Sequence, residues 1–223
     1  MTVLITGANR GLGLELARQL AAQGQAVIGT ARDAADAREL AALAGRVEPL
    51  DVTDAGSVAA LAGRLDGVPI DILVNNAGVF DRRDTAIDTV DFDAVQRTFA
   101  VNAFGPLRVV QALLPNLRAG QRKLVVNMSS ELGSIEDSNG RWYAYRASKS
   151  ALNQFNRVLS AELAPEGFTC VVLHPGWVRT DMGGPAASLS PEESVRGLVG
   201  LIAALQATDN GRFYDFRGRP LRW

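Results

Sequence analysis

The chain has 223 residues, 23 of them basic and 24 acidic, with one histidine and one cysteine, a size that suits a single domain spanning 1–223 with a full hydrophobic core. The balanced charge offers no footprint for nucleic acid or an anionic membrane, and one cysteine with one histidine excludes an internal disulfide and the usual zinc sites. No apolar run approaches the roughly 18 residues of a membrane span, and the opening Thr2-Val-Leu-Ile-Thr6 lacks the pattern of a secretion signal, so a cytoplasmic protein without membrane, metal or nucleic-acid partner is expected.

Along the chain, short β-branched apolar runs alternate with Ala- and Leu-rich stretches of helical period. The pattern predicts strands at 3–6, 26–30, 47–50, 70–74, 123–128, 169–173 and 212–214, and helices near 12–23, 33–44, 54–65, 91–118, 143–164 and 191–206. Asp54 can cap the third helix, Ser190-Pro-Glu-Glu193 has the form of a capping box, and Pro165 stops the helix before it. Because βαβ crossovers are right-handed, this order gives an α/β, doubly wound parallel sheet of about seven strands with helices on both faces, the Rossmann arrangement. Ligands on such sheets bind at the carboxyl ends of the strands.

The first strand ends in Thr6-Gly-Ala-Asn-Arg-Gly-Leu-Gly13 and a helix follows. Glycines at such a turn let the backbone approach a pyrophosphate, and the helix N-terminus presents free N–H groups and the positive end of its dipole. The spacing Gly-x-x-x-Gly-x-Gly differs from the common Gly-x-Gly-x-x-Gly, and no P-loop Lys-Ser/Thr follows. Gly7, Asn9, Arg10, Gly11, Leu12 and Gly13 are therefore candidate dinucleotide contacts. The second strand ends Thr30-Ala-Arg-Asp33. An acid at its tip would bind a free ribose 2'-hydroxyl, whereas Arg32, with Arg10 in reach, suits a 2'-phosphate and favours NADP over NAD. The alternative is a solvated Arg32 beside a helix-capping Asp33.

Of the 23 basic residues only Lys123 and Lys149 are lysine, and Lys149 lies four residues after Tyr145 in Trp142-Tyr-Ala-Tyr-Arg-Ala-Ser-Lys-Ser-Ala-Leu-Asn153. On a helix this spacing puts an ammonium beside a phenol, and a neighbouring cation favours the phenolate, so the pair could exchange a proton nearer neutral pH. Lysine suits this better than arginine, as a compact charge with three donors that can also hold ligand hydroxyls. His174, at the end of an apolar run before Pro175-Gly176, reads as structural or cofactor-adjacent, and Cys170 as a small buried apolar group. The stretch 175–189, with five residues that are Gly or Pro, is long enough for a functional loop.

Six motifs in register carry a resemblance: Thr6-Gly-x-x-x-Gly-x-Gly13, Asn75-Asn-Ala-Gly78, Asn102 in Val101-Asn-Ala-Phe-Gly105, Ser129-Ser130, Tyr145-x-x-x-Lys149 and Pro175-Gly176. Together the chain resembles the short-chain dehydrogenase/reductase family. Within that family, 143–153, His174-Pro-Gly-Trp-Val-Arg-Thr-Asp-Met-Gly-Gly184 and Gly218-Arg-Pro-Leu-Arg-Trp223 resemble the branch containing the sniffer carbonyl reductase and the bacterial C-factor. The resemblance implies that Tyr145 is the general acid that protonates a carbonyl oxygen, or the base in the reverse direction. Lys149 would hold the nicotinamide ribose and lower the tyrosine pKa, Ser130 would donate to the substrate oxygen, and Asn102 would hold a water behind Lys149. Asp51 and Val52 would meet the adenine, Asn75, Ala77 and Gly78 would wall the adenosine ribose, and Pro175, Gly176, Val178 and Thr180 would border the nicotinamide and phosphates.

One departure stands out. Where many members carry the serine 13 residues before the tyrosine, this chain has Leu132, and Ser130 lies 15 before it, implying a two-residue insertion within 131–142. Ser129 and Ser134 are also candidates, but alternation along a strand lets only one of Ser129 and Ser130 face the cleft, and Ser130 is preferred. Glu131, Trp142, Trp177 and Met182 are pocket or packing residues. The expectation is an NADPH-dependent reductase of a small carbonyl substrate, with a homodimer or homotetramer implied by the resemblance. A cofactor-sensing regulatory or signalling protein on the same fold, and an NAD-dependent dehydrogenase running toward oxidation, are the rivals.

Overall fold

The computed structural model describes residues 1–33, 35, 37–83 and 85–223. Its strands are β1 (Thr2–Ile5), β2 (Ala26–Ala31), β3 (Arg46–Pro49), β4 (Ile72–Asn75), β5 (Leu124–Met128), β6 (Thr169–His174) and β7 (Phe213–Asp215). They pair in the order β3-β2-β1-β4-β5-β6-β7, and every pairing is parallel. The order reverses between β1 and β4, and there the carboxyl ends open the crevice in which such sheets bind ligands.

The helices are α1 (Gly11–Ala22), α2 (Arg38–Leu43), α3 (Ala55–Arg64), α4 (Phe92–Phe99), α5 (Gly105–Ala119), α6 (Tyr143–Leu163) and α7 (Pro191–Ala204). Side chains that alternate along each strand divide the interior in two. Val3 and Ile5 of β1 pack with Leu16 and Leu20 of α1 and Leu198 and Ile202 of α7, while Leu4 packs on the opposite face with Leu61 of α3 and Val109, Leu113 and Leu117 of α5. The strands read as unbroken apolar runs because both faces are covered.

Local signals account for most boundaries. Asp54 accepts from the Gly56 N–H at 2.8 Å at the start of α3, and Ser190 and Glu193 form the reciprocal box that opens α7. A short 3₁₀ turn carrying Pro165 ends α6, and Gly167, at φ 83°, turns the chain toward β6. Of the helix predicted at 33–44, Ala34 and Asp36 lie outside the described residues; α2 begins at Arg38, and Asp33 accepts from the Ala35 N–H at 2.8 Å in a local turn instead of capping it.

The helix predicted at 91–118 is interrupted by a π-helical turn over Ala100–Phe104, between α4 and α5. Pro106 has no N–H to give to the Asn102 carbonyl four residues back, so the α ladder cannot run through this point. Gly105 follows the turn because a Cβ there would lie 2.8 Å from Val52 Cγ2. The interruption places Asn102, fully buried, behind the cleft.

Candidate active site

The carboxyl ends of the strands open on a cleft of about 1480 Å³, lined by Gly7, Asn9, Arg10, Gly11, Leu12, Arg32, Asp51, Val52, Ala77, Gly78, Ser129, Tyr145, Lys149, Pro175 and Thr180 among the sequence candidates; the preferred serine, Ser130, is not among the lining residues. Gly7 (φ 63°) needs to be glycine on two grounds: its backbone is left-handed, and a Cβ would stand 3.0 Å from Ala77 Cα. Gly13 sits beneath the turn without lining the cleft, where a Cβ would stand 2.3 Å from the Gly7 carbonyl oxygen. Arg10, at the N-cap of α1, makes no side-chain capping bond, so the first N–H groups of this helix face the cleft without a side-chain cap.

Asn76, which the motif reading passed over, fastens this turn. Its Nδ2 donates to the Thr6 and Gly7 carbonyls at 3.0 and 2.9 Å, and Thr6 Oγ1 accepts from the Asn76 and Ala77 N–H groups at 3.0 Å each. Asn75, expected in the cleft wall, points into the sheet: its Nδ2 donates to Asn127 Oδ1 at 2.9 Å, and Asn127 in turn donates to Asn156. Side-chain parity at the end of β4 turns the first asparagine inward and the second outward.

Arg32 stands at the end of β2, and its charge helps to hold the Asp51 carboxyl below its ordinary pKa, although the hydrogen bonds from Thr53 contribute more. Arg10, expected beside it, is paired with Asp181 at 3.1 Å across the mouth of the cleft. Gly176 (φ 84°) and Val178 do not line the cleft. Gly176 packs under Leu189, and Val178 bridges to the same residue, folding 175–189 back on itself.

At the other end of the cleft, Tyr145 and Lys149 share one face of α6 and are buried, 7% and 5% exposed. Ser130 lies close enough to the Tyr145 hydroxyl to lower the phenol pKa. Ser129 donates instead to Asn153 Oδ1 at 2.8 Å, and Ser134 donates to the Trp223 carbonyl at 3.1 Å, so only one of the three candidate serines meets the phenol. Ser130 also accepts from the Leu132 N–H at 3.1 Å, which starts the tight turn Glu131–Gly133.

Burial pushes the Tyr145 phenol up to about 12, with Ser130 opposing, and pushes Lys149 down to about 8. The expected depression of the phenol by Lys149 is not found: burial sets the direction of its shift, and only Ser130 opposes it. The ammonium lies 5.7 Å from the Tyr145 ring centroid and donates to the Met128 carbonyl at 2.8 Å. The Asn102 side chain is engaged by the protein itself. Its amide accepts from the Val79 N–H at 2.8 Å and donates to the Val79 carbonyl and Ser148 Oγ at 2.9 and 3.1 Å, clamping the segment after β4 behind Lys149.

Phe80, also unforeseen, stacks on Tyr145 with centroids 4.2 Å apart and meets Trp142 edge-on at 5.5 Å. Met182 lines the rim of the cleft, while Trp177 is half exposed and donates to the Gly183 carbonyl at 2.9 Å. Glu131 reaches His174, with Nε2 and Oε2 3.6 Å apart, and burial holds the His174 pKa down against the pull of Glu131 and Asp215. Burial pushes the Cys170 thiol up to about 12, which leaves it an inert packing group.

Residues 1–189 match the family model for short chain dehydrogenase. The chain is 48% identical over 156 residues to C-signal of Myxococcus xanthus, covering 70% of this chain and 93% of that protein. The fold superposes on NADPH-bound carbonyl reductase from chicken fatty liver with a TM-score of 0.91 and 35% identity, covering 100% of this chain and 98% of that one. With the carbonyl reductase Sniffer of D. melanogaster the TM-score is 0.94 at 36% identity, covering 100% and 99%.

Proposed function

Because the chain belongs to the short chain dehydrogenase family, we propose that it is an NADPH-dependent oxidoreductase that reduces an aldehyde or ketone to an alcohol. The observation that carries this reading is the buried Tyr145 phenol, with Ser130 beside it and Lys149 on the same helix face, at one end of a cleft whose other end is an uncapped glycine turn.

The residues fit a dinucleotide. The turn over 7–13 and the N-terminus of α1 would hold the pyrophosphate, Asp51 and Val52 the adenine end, Arg32 the 2'-phosphate, Lys149 the nicotinamide ribose, and Pro175 and Thr180 the nicotinamide side. NADPH is bound in a carbonyl reductase of the same fold, and no acid stands at position 32 to receive a free 2'-hydroxyl. The bound dinucleotide supplies the hydride. Tyr145 gives its phenolic proton to the carbonyl oxygen, and Ser130 donates a hydrogen bond to the same oxygen as its charge develops. A phenol held at about 12 stays protonated across the neutral range, the state a general acid needs.

The test follows cofactor oxidation with NADPH or NADH and a panel of aldehydes, ketones and quinones. Turnover that prefers NADPH is expected, and a preference for NADH would overturn the role given to Arg32. The similarity to C-signal favours a second reading, in which the chain binds the cofactor and acts in signalling with little turnover. Tight NADPH binding without oxidation by any carbonyl would select it.

A further inference from the structure

We propose that the tail 219–223 is a clamp that positions the carbonyl end of the site, with Arg222 and Trp223 acting through the loop 131–142. This loop contains the two-residue insertion and joins Ser130 to Tyr145. The inference rests on the reading of those two residues as the carbonyl-binding pair.

The near half of the loop is held by α6: the Gly133 carbonyl accepts from Ser150 Oγ at 3.0 Å and from Asn153 Nδ2 at 3.2 Å. The far half is held by the tail. Ser134 Oγ and the Glu136 N–H both donate to the Trp223 carbonyl at 3.1 Å, and Arg222 donates to Glu136 Oε1 at 2.9 Å and to the Asp137 carboxylate. The tail is itself anchored. The Leu221 N–H donates to the Phe213 carbonyl of β7 at 2.9 Å, and the Trp223 ring lies 5.5 Å from Phe213, with the Arg157 guanidinium of α6 5.7 Å from its centroid.

Past these contacts the chain enters a strained stretch. Arg141 and Trp142, neither of them glycine, lie at φ 60° and 57° immediately before α6. Such conformations persist where the surroundings over-determine them. Two groups of contacts do so here: Arg146 donates to Asn139 Oδ1 at 2.6 Å, and the Trp142 ring rests on Phe80, which is stacked on the catalytic phenol. The tail thus fixes one end of a loop whose other end sets the aromatic wall over Tyr145. Ser134, a candidate for the serine that meets the substrate oxygen, serves as the tail's anchor.

The test compares the intact chain, Arg222→Ala, Arg222→Lys and a chain ending at Leu221. It measures carbonyl KM and kcat at saturating NADPH, the NADPH dissociation constant by cofactor fluorescence, and amide exchange across 131–142. Arg222→Ala is expected to raise the carbonyl KM about threefold, with most of the effect restored in Arg222→Lys; the shortened chain is expected to lose about tenfold in kcat/KM. In both Arg222→Ala and the shortened chain, exchange over 134–142 accelerates while NADPH affinity holds. Unchanged KM and exchange in both variants would overturn the proposal, as would NADPH affinity falling in step with kcat/KM. If the intact chain reduces no carbonyl, the functional reading fails, and the exchange measurement alone still decides whether the clamp exists.

Discussion

The two ends of the cleft are built by different means. The glycine-turn end is made mostly of backbone: Gly7 fits against Ala77, Gly13 against the Gly7 carbonyl, and two side chains, Thr6 and Asn76, tie the turn to the end of β4. The carbonyl end is made of buried side chains bonded to one another and to distant backbone, as in Ser129 with Asn153, Asn102 with Val79 and Ser148, and Lys149 with the Met128 carbonyl. A backbone cradle tolerates little change of shape but holds no proton. A side-chain network can hold and move protons, and it is sensitive to the loss of single atoms.

The largest contrast is expected from removing one oxygen at the carbonyl end. Tyr145→Phe keeps the ring stacked on Phe80, and it should lower carbonyl turnover by about 10³-fold or more while NADPH binding stays nearly intact. Steady-state rates and a fluorescence titration measure the two effects, and unchanged turnover would show that another group delivers the proton. At the opposite end, Arg32→Glu should weaken NADPH about 10- to 100-fold with little change in NADH affinity, because it would put an anion in place of the cation proposed to meet the 2'-phosphate. Equal losses for both cofactors would place Arg32 outside that contact.

The same contrast explains what could be read from the chain. The glycine turn and Tyr145-x-x-x-Lys149 are local patterns whose geometry follows from a tight turn or from 3.6 residues per turn, so both were legible. The parity of Asn75 and Asn76 was not, because it depends on which residue is the last to be paired in β4. The break in the predicted 91–118 helix was written in Pro106, but apolar periodicity continued through it and hid the lost hydrogen bond. The contacts of Phe80 with Tyr145 and of Ser134 with Trp223 join residues 65 and 89 positions apart, and no local pattern announces them.

Lys149 gives a test that needs no substrate. Its folded-state pKa is depressed to about 8 from 10.5. Below about 8 the lysine is charged in both states and the cost of burying the charge is complete. As pH rises from 8 toward 10.5 the unfolded chain keeps a proton that the folded chain has released, so stability increases with pH. Tyr145, raised from 10.0 to about 12, acts oppositely above pH 10, where the unfolded phenol ionises first. Denaturant titrations should therefore show stability climbing between about pH 8 and 10, and Lys149→Met should flatten that climb. An unchanged slope in the variant would assign the titration to another group.

The smallest effect, and the finest division within the carbonyl end, separates two adjacent serines. Ser130 lies beside the Tyr145 hydroxyl, whereas Ser129, which borders the cleft, gives its hydroxyl proton to Asn153 Oδ1. Ser129→Ala removes a buried hydrogen bond and leaves Asn153 Oδ1 without that donor, so it should cost about 1 to 3 kcal/mol of stability. Its effect on turnover should stay within about threefold, because Asn153 is still held through its Nδ2 to the Gly133 carbonyl. Ser130→Ala also gives up a bond, the one from the Leu132 N–H, so the two variants part on turnover instead: kcat/KM should fall about 100-fold through loss of the donor to the carbonyl oxygen. If both variants lose turnover equally, the two hydroxyls act as one network, and the division between structure and chemistry falls outside the Ser129-Ser130 pair.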